Sequence, residues 1–140
     1  MKFIFSILLF LLSFNLKAQY NTQSIIINSP NYNNWYQCEE SGRGKASFFA
    51  AVSTSNVMAK DGYYYYDVFF YNNSFYRNGI ECSTYIKNIN YYIWNGDSWQ
   101  KVYYQPYALV KQSGQFHAAY VYSFTKIYKI KIVWQDVLTY

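Results

Sequence analysis

The chain has 140 residues, of which 52% are hydrophobic, 24% aromatic and 14% charged, and its 12 Lys plus Arg stand against 7 Asp plus Glu for a net charge of +5. That length holds one domain with one core. The basic residues are scattered, apart from Lys126, Lys129 and Lys131, which excludes the concentrated basic stripe of a nucleic-acid binder and leaves no nucleic acid among the expected partners.

The first residues carry the pattern of a targeting segment. Lys2 supplies a positive start, residues 3–12 an apolar run, and Leu16-Lys17-Ala18 a small-residue cleavage site before Gln19. Residues 1–18 are therefore expected to be a cleaved signal peptide and residues 19–140 a single exported domain, secreted, periplasmic or at the cell surface. No later stretch approaches about 18 uninterrupted apolar residues, so no stable membrane insertion is expected. The first cysteine after the cut is Cys38, which leaves no site for a lipid anchor at the new terminus. Losing Lys2 and Lys17 leaves 10 basic residues against 7 acidic ones, a mild +3.

In chain order, residues 24–28 read as a first strand, and 29–34 as a loop in which Pro30 fixes φ and the asparagines tolerate left-handed backbone. Extended structure resumes over 35–39 and breaks at Ser41-Gly42-Arg43-Gly44. Residues 46–53 alternate, with Ala46, Phe48, Ala50 and Val52 on one side, and 54–60 connect. Residues 63–71 then form the most aromatic and β-branched strand of the chain. Its even positions, Tyr64, Tyr66, Val68 and Phe70, make an apolar face suited to a core. Its odd positions, Tyr63, Tyr65, Asp67, Phe69 and Tyr71, make an aromatic face interrupted by one carboxylate. This odd face is either a second packed layer or a surface available for binding.

Glycines at 44, 62, 79, 96 and 114 follow one another at 17 or 18 residues, mostly in turn-forming pairs, as antiparallel strands with tight returns require. Between residues 80 and 93 the apolar phase changes from even (Ile80, Cys82, Thr84, Ile86) to odd (Ile89, Tyr91, Ile93). A bulge near Lys87-Asn88 reconciles the two and is a device by which a strand passes from one sheet to the facing one. Residues 91–102 spell a hairpin around Asn95-Gly96-Asp97-Ser98, with Trp94 and Trp99 paired across it. Gln105-Pro106 interrupts pairing ahead of a short edge strand at 107–110, and 116–123 is a strand of mixed pattern. In 124–134, Phe124, Tyr128, Ile130, Ile132 and Trp134 face one way, while Lys129 and Lys131 face the other and guard an open strand. No window carries a 3.6-residue apolar period. The expected fold is an all-β antiparallel sandwich, immunoglobulin-like or related, with about seven to nine strands.

Chemistry is sparsely supplied. No nucleophile elbow, phosphate loop, zinc-binding helix or dinucleotide fingerprint is present, and no cofactor or metal is expected. His117 has no acid or nucleophile among its sequence neighbours. Asp67 is the one acid in mid-strand among rings, expected to be satisfied by a tyrosine hydroxyl or a cross-strand Lys or Arg; a carboxylate hydrolase needs a second acid beside it. Cys38 and Cys82 are candidates for a structural disulfide closing a loop of about 45 residues, worth roughly 4 kcal/mol.

The aromatic excess points to binding. Four Trp and nineteen Tyr exceed what one core holds, and a ring with a polar rim suits sugar stacking and protein contact alike. The candidate contacts are Trp94 and Trp99 at the hairpin tip, Trp35 beside the Asn-rich loop, and Tyr63, Tyr65, Asp67 and Tyr71 on the odd face; at each, a cross-strand ladder that only stabilises is the alternative. The function expected is a small exported, non-catalytic binding or adhesion module for a glycan or protein. A structural subunit of a surface layer or fibre is the alternative, followed by an outer-membrane barrel, whose strands need longer lipid-facing apolar series, and a hydrolase.

Overall fold

In the computed structural model, which describes residues 22–38, 48–55, 57–72, 83–111 and 114–139, eight strands form two antiparallel four-stranded sheets. The strands are β1 (Thr22–Asn28), β2 (Tyr36–Cys38), β3 (Phe48–Thr54), β4 (Tyr64–Asn72), β5 (Thr84–Trp94), β6 (Trp99–Val110), β7 (Gln115–Ser123) and β8 (Lys129–Thr139). The first sheet runs β1-β8-β5-β6 and the second β2-β3-β4-β7. The expected all-β sandwich is thus present, with its own strand order. An immunoglobulin sandwich keeps its first two strands in one sheet, whereas β1 and β2 lie in opposite sheets. No helix among the described residues is long and apolar enough to cross a membrane. The expected signal peptide, Gly44, Gly79 and Cys82 fall outside the described residues.

The core is what alternation predicts. From the second sheet, Val52, Tyr66, Val68, Phe70 and Val121 point inward, and from the first, Ile27, Ile86, Ile89, Tyr91, Ile130, Ile132 and Trp134 meet them. Each such side chain contributes about 1.5–3 kcal/mol by leaving water. Two polar anchors, one buried and one partly buried, join the strands. Asn72 donates from Nδ2 to the Val110 carbonyl at 2.9 Å, linking β4 to β6 across the sandwich, and Trp134 donates from Nε1 to Gln23 Oε1 at 3.0 Å.

Three expectations are corrected. The phase change in β5 is a bulge, with Asn88 at φ +48°, but β5 stays in the first sheet throughout, paired with β6 on one side and β8 on the other. Asn88 absorbs the irregularity itself, donating to Gln135 Oε1 at 2.8 Å and accepting from the Tyr104 hydroxyl at 2.9 Å. Pro106 does not break β6, because β6 is an edge strand and Pro106 sits across from that bulge, where a missing N–H costs no ladder bond. Finally, β8 begins at Lys129 rather than at 124, and it lies between β1 and β5, so Lys129 and Lys131 guard no edge.

Residues 124–128 instead form a strap over one end of the core, with Phe124 and Tyr128 exposed and Ile127 buried. Two tyrosines hold it: the Tyr32 hydroxyl donates to the Ile127 carbonyl at 2.7 Å, and the Ile127 N–H donates to the Tyr66 hydroxyl at 2.8 Å. Their rings meet edge to face at 5.7 Å. Burial raises the pKa of both hydroxyls, which keeps them neutral. Cys38 is a buried free thiol on the inner side of β2, with its pKa pushed by burial up to about 12, and Cys82, its expected disulfide partner, lies outside the described residues.

Tyr66→Phe leaves the buried Ile127 N–H without its acceptor and is expected to cost about 1–3 kcal/mol, read as a lower urea midpoint at unchanged slope. An unchanged midpoint would show that the strap does not depend on this bond.

Candidate functional site

The pleat that sends Tyr66, Val68 and Phe70 into the core sends Tyr65, Asp67, Phe69 and Tyr71 to the outer face of the second sheet. Because β4 is paired on both sides, each outward residue acquires neighbours on β3 and β7. Tyr71 lies between Phe49 and Gln115, Phe69 between Ala51 and His117, and Asp67 between Ser53 and Tyr120, while Tyr65 faces Tyr122. The open question of the odd face is answered: it is a surface, not a second packed layer.

A bulge in β7 completes this face. The register shifts so that Val68 pairs with Ala119 and Phe69 with His117, leaving Ala118 as the extra residue. Ala118 and Ala119 are both buried, so His117 and Tyr120, three positions apart, both point outward. Strict alternation would have turned one of them into the core. The mixed pattern of residues 116–123 is the sequence trace of this bulge.

The rings form a strip of three clusters set end to end along this face. At one end Trp35 lies 5.8 Å from Tyr71, which lies 6.3 Å from Phe49, and these three with Gln115 line a shallow pocket of about 330 Å³. In the middle, the His117 ring stands 5.2 Å from Phe69 and 4.2 Å from Tyr120. At the other end Tyr63 stacks on Phe124 at 4.0 Å and meets Tyr122 edge-on at 5.4 Å. Tyr65 to Tyr71 alone spans about 20 Å of strand. Tyr120, Tyr122 and Phe124 are 58–66% exposed, so the strip is open to solvent rather than covered.

Its polar groups are few and fixed. His117 Nε2 and Asp67 Oδ1 are 2.8 Å apart, with both side chains about one-third exposed. Among the described residues Asp67 therefore has neither the tyrosine nor the Lys or Arg partner anticipated for it, and His117 has the acid partner that its sequence neighbours do not supply. At the strip's end the Tyr65 hydroxyl donates to Asp61, whose other oxygen accepts from the Tyr63 N–H at 3.0 Å. The Tyr65 bond holds the Asp61 carboxyl below the usual carboxylate range, and the same bond raises the Tyr65 hydroxyl. None of the four strands of this sheet carries a lysine or arginine.

For bond-breaking the arrangement is poorly ordered. Ser53 is level with Asp67, whereas His117 is level with Phe69, so the carboxylate sits between hydroxyl and imidazole instead of behind the imidazole as a Ser-His-Asp triad requires. Among the described residues no three His, Cys, Asp or Glu side chains gather as metal ligands.

Five of the candidate residues, Trp35, Tyr63, Tyr65, Asp67 and Tyr71, are thus brought onto one face. Trp94 and Trp99 are not: they meet edge to face at 5.3 Å on the hairpin tip of the first sheet, as paired residues. Sequence reasoning missed Phe49, Gln115, Tyr120 and Tyr122 as members of the strip, because strand pairing, not sequence proximity, places them there. No family model, curated protein or solved structure matches the chain.

The Asp67–His117 pair is too exposed to hold the fold. A double-mutant cycle with Asp67→Asn and His117→Gln is expected to give a coupling of about 0.2–1 kcal/mol in urea unfolding; a coupling of several kcal/mol would assign the pair a structural role instead.

Proposed function

We propose that this protein is an exported, non-catalytic binding module that holds a neutral glycan along the outer face of its second sheet. The observation that carries this reading is the solvent-open row of ring clusters on this face, which ends in the Trp35–Phe49–Tyr71–Gln115 pocket. Exposed apolar patches of this extent are uncommon on surfaces that contact nothing. A sugar ring offers an apolar C–H face and a rim of hydroxyls, and the strip offers the complement: flat rings, with Asp67, His117, Gln115 and tyrosine hydroxyls between them. The strands' lack of Lys and Arg favours an uncharged ligand over a protein partner, since protein contacts draw heavily on Arg at their energetic centres. Export is supported by the pattern of residues 1–18 alone.

A second reading, a seam between copies in a surface layer or fibre, is favoured by the high exposure of Tyr120 in the middle of the strip and of Tyr122 and Phe124 at one end. Sedimentation at rising concentration separates the two, since a seam gives larger species and a glycan module stays at constant mass.

Trp35→Ala and Tyr71→Ala are each expected to weaken retention on an immobilised neutral glycan by about tenfold, equivalent to about 1.4 kcal/mol, with circular dichroism unchanged. Undiminished retention by both variants would remove this face as the binding site.

A further inference from the structure

Every lysine that lies on a described strand is on the first sheet: Lys87 on β5, Lys101 on β6, and Lys129 and Lys131 on β8. All four stand over aromatic rings. The Lys131 ammonium lies 4.5 Å from the Trp99 ring centre and 4.8 Å from that of Tyr92, Lys129 is 5.6 Å from Trp94, Lys101 is 5.1 Å from Tyr104, and Lys87 is 5.7 Å from Tyr85. Trp94 and Trp99 are therefore not bare stacking platforms, because ammonium groups already sit over their rings.

Strand pairing sets the spacing of the charges. Tyr92 pairs with Lys101 on one side and Lys131 on the other, so these lysines lie two strand intervals apart, roughly 9–10 Å. Lys129 and Lys131 follow on the same face at about 7 Å. The sole ion pair among the described residues is Asp67–His117 on the opposite sheet, so Asp97, the carboxylate in the hairpin turn between Trp94 and Trp99, makes no direct ion pair with these lysines. Beside it, a cleft of about 630 Å³ between the hairpin tip and the strap is lined by Trp94, Asn95, Gly96, Thr125 and Lys126. The Lys126 ammonium lies 6.0 Å from the Tyr64 ring and adds a further positive charge there.

We infer that the outer face of the first sheet is a second binding surface, one that takes an acidic polysaccharide through Lys101, Lys129 and Lys131. The rings restrain each ammonium at a fixed point, which lowers the side-chain ordering a ligand must otherwise impose. Charges held at separate points suit single carboxylate or sulfate groups spaced along a sugar chain. A single-stranded nucleic acid is served less well beside Lys129 and Lys131, because the Trp94, Tyr92 and Trp99 rings that would stack bases there already carry ammonium groups. This site is independent of the neutral-glycan face, and either can fail without the other.

The test is retention of the full chain on immobilised polygalacturonate, with neutral dextran and a single-stranded oligonucleotide as comparison probes. Polygalacturonate binding is expected to weaken as salt is raised, to fall about tenfold in Lys129→Gln/Lys131→Gln and to survive in Lys129→Arg/Lys131→Arg. Trp94→Ala/Trp99→Ala, which leaves the charge but removes two of the restraining rings, is expected to lie between wild type and the Gln variant. Equal binding by the Gln variant and wild type, or tighter binding of the oligonucleotide than of polygalacturonate, overturns the assignment.

Discussion

Because β4 is hydrogen-bonded along both edges, to β3 and to β7, its register cannot slip by one residue without exchanging its two faces. Such a slip would bring Asp67 into the core and expel Tyr66, Val68 and Phe70, three side chains that are at most 1% exposed. The burial of that even face therefore determines the outer one. Tyr65, Asp67, Phe69 and Tyr71 are held in place by core packing rather than by contacts of their own, and so they can remain open to a ligand. The bulge at Ala118 extends this control to β7 by bringing His117 and Tyr120 out on the same side.

The two sheets share one core and differ in what they show to solvent. On the second sheet, rings touch rings, with a single acid–base pair among them. On the first, rings carry lysines. The strand order keeps these surfaces apart, since β5 and β8 lie wholly in one sheet and β4 and β7 in the other. A mild overall charge therefore hides a marked division, with the strand lysines gathered on one face and the strand-borne imidazole on the opposite one.

Much of the fold was legible in the sequence because period-two alternation reports burial directly. The even face of β4 and the Trp94–Trp99 hairpin follow from local pattern and turn chemistry: Gly96 takes φ +104°, and Asn95 Oδ1 accepts from the Asp97 and Ser98 N–H groups at 2.9 Å. What local pattern could not show was pairing between distant strands. Asp67 and His117 are 50 residues apart and meet only because β4 and β7 are neighbours. Residues 124–128 misled for a related reason. Their alternation resembles a strand, but long-range bonds from Tyr32 and Tyr66 to Ile127 fold them into a strap. Lys129 and Lys131 read as edge guards until β8 was placed between β1 and β5.

The four tryptophans provide a direct test of the division between faces, since Trp35 lies on the ring strip, Trp94 and Trp99 on the lysine-bearing face, and Trp134 in the core. Titrating protein with ¹⁵N-labelled indoles with a neutral oligosaccharide, followed by NMR, reads all four sites at once. The account predicts that the Trp35 signal moves while those of Trp94, Trp99 and Trp134 stay fixed. Movement of Trp94 and Trp99 with Trp35 unchanged would contradict it.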